Sequence, residues 1–168
     1  MKLIRPKSYT DLLKIFDEEN KFKDGWYPAA QKDTWPRGRF DEANTQFNGE
    51  WYEYELPSAD VLNIKLPWNK EFMIPEEGMA VQEALQLPLV KAWIAGGNCP
   101  DYPRSTHIWL ASKILLITSA QEYKLMKNHD RHLINLDGVH RLLVWAHLNL
   151  TIFAFIAGRP SNEEPPRS

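Results

Sequence analysis

Apolar positions recur at helical spacing through residues 9–19, where Leu12, Leu13, Ile15 and Phe16 share one face behind an early Asp11. Ser8 or Thr10 can cap that helix through a side-chain oxygen. Residues 21–48 lose the period altogether and mix Gly, Pro, Trp and charged residues, which predicts a long irregular segment. Loops of that length are uncommon in a compact domain unless they serve a function or are disordered. Trp51, Tyr52, Tyr54 and Leu56 give a partly alternating aromatic run, a strand closed by Pro57. Residues 79–97 read as two short helices, broken at Pro88 and stopped by Gly96 and Gly97.

The second half carries stronger periods. Residues 113–118 (KILLIT) and 131–136 (RHLINL) are rich in apolar and β-branched residues and predict two strands joined by a helical or extended connection. After the Asp-Gly turn, Leu142, Leu143, Ala146 and Leu150 recur at helical spacing, and residues 151–157 (TIFAFIA) read as a buried strand. The expected organisation is one α/β domain over residues 1–157. Within it, residues 1–50 supply a helix and the long aromatic loop, and residues 51–157 supply the main sheet and a turn-helix unit. Residues 158–168 are too poor in apolar side chains to pack and are expected to be a flexible tail.

The chain has 168 residues, 43% hydrophobic and 25% charged, enough for a real core. A formal net charge of -2 provides no general field to attract a polyphosphate, so nucleic acid is disfavoured as a partner. Cys99 is the only cysteine, which rules out an intrachain disulfide framework. The first residues show no signal-peptide pattern, and the most apolar late stretch is shorter than the roughly 20 residues of a membrane span. A cytoplasmic protein that does not enter a membrane is the expectation.

Chemistry concentrates at residues 137–141 (DGVHR). If the preceding strand ends at Leu136 and a helix starts near Gly138, Asp137 falls at the N-cap and can accept a first-turn amide. The first-turn N–H groups lack intrahelical acceptors, and the macrodipole favours a negative guest there. Gly138 allows close approach to the backbone, Arg141 can grip two phosphate oxygens, and His140 can donate a hydrogen bond or move a proton. An Asp-Gly turn with a solvated His and Arg is the plain alternative, but open α/β sheets gather ligands where strands end and helices begin.

The run of residues 134–149 (INLDGVHRLLVWAHLN) followed by TIFAFIA resembles the late phosphate-binding motif of the ParB and sulfiredoxin-like superfamily. There a strand enters a turn such as DGHHR or GCHR, then a helix, then an apolar strand; the form nearest to this one is that of ParB-like free serine kinases. The resemblance spans residues 113–157 and extends to the aromatic strand at residues 52–56, less than half of the chain. It implies a small α/β fold with a mixed sheet and flanking helices, binding ATP or ADP with Mg2+. Gly138, Val139, His140 and Arg141 would line the phosphates, with Asp137 as the acidic turn residue. Val139 departs from the second histidine of the serine-kinase form. The turn has no cysteine, and Cys99 lies far upstream, which disfavours sulfiredoxin chemistry; the GERR pattern and basic helix-turn-helix of DNA-partitioning relatives are missing.

Other residues supply candidates around that turn. Glu53 and Glu55 lie on one side of the aromatic strand, and Glu55 is the candidate base or magnesium ligand; Asp60, Glu71, Glu76 and Glu77 lack an identifying spacing. Arg104 in the Gly- and Pro-rich stretch 95–105, His132 before its strand and Trp35 in the aromatic segment are candidate substrate contacts. Arg37 and Arg39 flank Trp35 and are further anion-binding candidates, while Trp26, Tyr27, Phe40 and Phe47 suit a stacking surface or a satellite core. His107, His129, His132 and His140 match no zinc spacing, so no resident metal site is expected. Three functions fit these residues: phosphoryl transfer from a nucleotide to a small metabolite, acid-base chemistry by His140 and Asp137 on an anionic metabolite without ATP, or noncatalytic recognition of a phosphate or nucleic acid.

Overall fold

A computed structural model describes residues 1–20, 35–75, 78–97, 107–112 and 133–160. Among the described residues, seven strands form one mixed sheet. In chain order they are β1 (Lys2–Lys7), β2 (Trp51–Leu56), β3 (Lys65–Leu66), β4 (Met79–Ala80), β5 (His107–Ala111), β6 (Ile134–Asp137) and β7 (Ile152–Ala157). Across the sheet the order is β1-β2-β7-β5-β6-β3-β4. β5 runs parallel to β7 and β3 parallel to β6, while the other neighbours are antiparallel. The expected mixed α/β class is what the chain adopts.

Helices cover both faces. On one, α1 (Tyr9–Asn20) and α2 (Trp35–Gln46) bring Leu12, Phe16, Phe40 and Ala43 onto Trp51, Trp109, Leu136 and Phe155. On the other, α3 (Ser58–Val61), α4 (Val81–Ala84), α5 (Pro88–Ala95) and α6 (Val139–His147) bring Val61, Val81, Val90 and Leu142 onto Tyr54, Ile108 and Ile156. Alternation at period two sends neighbouring residues of one strand into different cores: Ile108 and Leu110 join one, Trp109 and Ala111 the other. The central strands are therefore apolar on both sides, and their sequences read as continuous apolar runs.

Ser8 caps α1, its hydroxyl accepting the Asp11 amide at 3.1 Å. The structure corrects the expectation for residues 21–48, since residues 35–46 of that stretch form α2. Pro36 and Gly38 mask the pattern, and among the described side chains of α2 the buried apolar ones are Phe40 and Ala43, with Phe47 packed beside them. Four strands were not legible as such, the two-residue β3 and β4 among them. β1 is an edge strand with nearly every residue exposed, and β5 is a short stretch that begins with a histidine. The expected strand at residues 113–118 lies outside the described residues, as do residues 161–168 of the expected tail, whereas residues 158–160 of that tail are placed, with Gly158 and Pro160 buried. Among the described residues, no helix is long and apolar enough to cross a membrane.

Gly158 closes β7 at φ 76°, where its amide donates to Glu50 O at 2.8 Å. A Cβ there would stand 2.4 Å from the Phe47 ring and 2.6 Å from Ser112 Oγ. Gly158→Ala adds left-handed strain to that overlap, and is expected to destabilise the fold by about 2–3 kcal/mol. Urea unfolding should show a lowered midpoint with an unchanged slope.

Candidate functional site

β6 passes into α6 through one residue. Gly138 adopts the left-handed conformation at φ 85° and ψ 30°, occupies the N-cap, and offers its carbonyl to the Leu142 amide at 2.9 Å. This corrects the expectation for Asp137, which is the last residue of β6, paired with Trp109, and not the cap. No side chain caps the helix. The orphaned first-turn donors are a feature of any helix start, but here a cation joins them. Arg141 is buried, and its guanidinium folds back over Gly138: a Cβ on that glycine would lie 2.9 Å from Nη2 and 3.2 Å from Nε. Arg141 Nη2 stands 3.9 Å from Asp137 Oδ2. A guanidinium at the positive end of a helix lies in the field of the macrodipole, with the Asp137 carboxylate at the edge of ion-pair range.

His140 lies beside this cation in a setting that the local sequence did not disclose. Its Nε2 is 2.9 Å from Glu71 Oε2, and its ring lies 5.2 Å from Phe72 and 5.1 Å from Trp93, centroid to centroid. The turn that carries Glu71 and Phe72 is closed by backbone bonding between Asn69 and Ile74, and the Asn69 side chain accepts the Phe72 amide at 3.0 Å. Trp93 arrives from α5, a helix whose Pro88 sits at its start. Two separate elements, the turn and α5, thus place a carboxylate and two aromatic rings around one half-exposed imidazole on α6.

Among the expected site residues, the structure brings together Asp137, Gly138, Val139, His140 and Arg141. Arg39 comes near them as well: it is buried on α2, and Nη1 donates to Leu136 O at 2.9 Å, one residue before Asp137. Glu55 is corrected. It lies on β2, separated from β6 by β7 and β5, so about 14 Å of sheet intervenes at ~4.8 Å per strand. Trp35 is the first residue of α2, with its side chain outside the description, while Arg104 and His132 lie outside the described residues. Phe40 is buried in a core cluster, and Phe47 packs against it partly buried. Among the described residues, no three His, Cys, Asp or Glu side chains converge on a point. Asp137 is the carboxylate at the turn itself, so magnesium here would be carried chiefly by a ligand's phosphates.

A family model matches residues 1–168, that of a family of unknown function, DUF6309. The chain belongs to that family. No curated protein and no solved structure matches it.

A second group of charges lies on the face that α1 and α2 cover. Glu53, buried on β2, receives Arg5 Nε at 2.6 Å, Lys7 Nζ at 3.5 Å and His107 Nε2 at 2.8 Å. The His107 ring stacks on Phe155 at 4.1 Å with 3° between planes. Burial raises the Glu53 carboxyl, but hydrogen bonds from Arg5 and His107 and the nearby positive charges outweigh it and hold the group below its ordinary value. Burial is also the largest influence on His107 and, despite Glu53, keeps the imidazole below its ordinary 6.5. Near neutral pH a neutral ring therefore donates Nε2–H to an ionised carboxylate.

Both folded values are lowered, so the unfolded chain binds more protons in acid and stability is lost as pH falls. For His107 the loss begins below about pH 6.5, the unfolded value, and continues down to the folded one. For Glu53 it follows below about 4.5. Urea midpoints between pH 7.5 and 5 should fall for the native chain and flatten in His107→Gln; an equal slope in both would remove this account.

Proposed function

We propose that this protein is a nucleotide-binding enzyme of the ParB and sulfiredoxin-like kind, whose β6 to α6 turn holds the phosphates of ATP or ADP and which transfers a phosphoryl group to a small metabolite. One observation carries the reading: the Arg141 guanidinium lies across Gly138 at the uncapped start of α6. Amides at a helix start and a fork of guanidinium donors bind phosphate oxygens with shared geometry and charge. His140 supplies the proton chemistry, with Glu71 as its partner in place of the distant Glu55. In the transfer, the acceptor hydroxyl gives its proton to the imidazole as its oxygen forms the new bond to phosphorus. The bond to the departing diphosphate breaks, and Arg141 neutralises charge on the moving group. Magnesium bound with the nucleotide would supply further charge neutralisation at the phosphates, with Asp137 the carboxylate at the turn nearest to hold it.

The Glu71–His140 contact also supports a second reading, in which the turn holds an anionic metabolite and the imidazole acts as base without ATP. Asp137 then serves as a partner of Arg141, not of the histidine.

Calorimetric titration separates these readings. ADP and ATP, with magnesium, are expected to bind the native chain, and Arg141→Gln should weaken binding by about ten- to a hundredfold through lost charge-assisted hydrogen bonds worth ~1.5–3 kcal/mol. Binding of neither nucleotide, in protein shown to be folded by circular dichroism, would defeat the first reading. Glu71→Gln is expected to leave affinity nearly unchanged while lowering turnover of whichever metabolite is consumed.

A further inference from the structure

β6 changes register just before the turn. Leu110 pairs with Asn135 and Trp109 with Asp137, so two residues of β6 stand against one of β5, and Leu136 is the extra one. A bulge of this kind interrupts the ladder, bends its strand and is over-represented beside functional sites. Two buried polar side chains answer the carbonyls there. Arg39 Nη1 donates to Leu136 O at 2.9 Å, and Asn135 Nδ2 donates to Asp137 O at 2.9 Å. Asn135 is 3% exposed and lies between two buried apolar residues, Ile134 and Leu136, where an amide side chain is costly without a partner. Its partner is the backbone of the turn.

The Asp137 carbonyl shares a peptide plane with the Gly138 amide, and in a trans peptide the C=O and N–H point in opposite directions. Holding one therefore sets the other. Gly138 cannot do this by itself. With no Cβ, a glycine accepts φ of either sign, so the residue that makes the turn possible also leaves its peptide free to rotate. Rotation by half a turn would exchange N–H for C=O at the start of α6 and set a carbonyl oxygen against a bound phosphate. We infer that Asn135 is a positioning residue: its buried hydrogen bond to Asp137 O keeps the Gly138 N–H turned towards a phosphate oxygen held at the start of α6. This inference rests on the phosphate reading given above and names what keeps that site in its binding form.

The test uses the full chain, with calorimetry for ADP plus magnesium and for inorganic pyrophosphate, and NMR of the Gly138 amide. In the native chain that amide proton should move downfield on saturation with pyrophosphate. Asn135→Leu keeps the volume and removes the donor. It should weaken ADP and pyrophosphate alike by about tenfold, as follows when about a tenth of the molecules hold the competent peptide. Gly158→Ala, which loosens the fold at the end of β7, is the control and should leave both dissociation constants unchanged.

Asn135→Asp provides a second arm if the leucine variant does not fold. The introduced carboxyl donates only while protonated. Relative to the native chain, its affinity for ADP should therefore drop over the pH interval in which that carboxyl ionises, followed by its carbon-13 resonance. A purely structural Asn135 gives a different result: a lowered urea midpoint with native dissociation constants. That outcome in Asn135→Leu overturns the inference while the phosphate reading stands, and so does an affinity of Asn135→Asp that is indifferent to the ionisation. If neither pyrophosphate nor ADP binds the native chain, or if pyrophosphate binds without moving the Gly138 resonance, both inferences go.

Discussion

Between Asp137 and Val139 the backbone must leave the plane of the sheet and begin a helix within one residue, and the left-handed conformation of Gly138 is what permits it. Other residues pay a steric penalty there. The missing Cβ matters for a second reason, because its volume is occupied by the Arg141 guanidinium. A single absent side chain therefore determines both the direction of α6 and the location of a buried positive charge. Asp137, continuing β6 by pairing with Trp109, is held at the edge of that charge.

The rest of the site comes from elements far apart in sequence. α6 places His140, the turn at residues 69–74 places Glu71 and Phe72, and α5 places Trp93. Across the sheet, α2 sends Arg39 to the carbonyl that precedes the turn. The two helical layers thus both reach the end of β6, one with an imidazole and the other with a guanidinium. Elsewhere on the sheet, the Glu53 cluster uses similar groups with a different balance. There, one buried carboxylate gathers Arg5, Lys7 and a neutral His107, so the negative charge is already answered by the protein. At the turn the charges stand in pairs of a different kind, Arg141 near Asp137 and His140 against Glu71.

Legibility followed the range of the interactions involved. The helix at Tyr9–Asn20, the strand at Trp51–Leu56, the paired helices around Pro88 and the β6-α6-β7 unit all have local periods, and the sequence reading placed each within a few residues. The turn was legible for the same reason, since its Gly, His and Arg are contiguous. α2 was not, because among its described side chains the buried ones are Phe40, Ala43 and a polar Arg39, amid Pro and Gly in the sequence. β1 could not be recognised because it lacks a buried side and gains its place through pairing with β2. The partnership of Glu71 with His140 spans 69 residues and leaves no trace in spacing. The choice of Glu55 went astray for a related reason: strand order, which places β7 and β5 between it and the turn, is a property of the whole sheet.

The two borders of the sheet differ in length but share an outcome. β4 ends one side with two residues, Met79–Ala80, too few to template another strand. β1 ends the other with six, but Pro6 removes a backbone donor, a register shift interrupts its ladder between Leu3 and Arg5, and Lys2, Arg5 and Lys7 add like charges along it. Irregular, proline-bearing and cationic borders discourage edge-to-edge growth. Among the described strands, both borders are therefore poor templates for pairing with another copy of the chain.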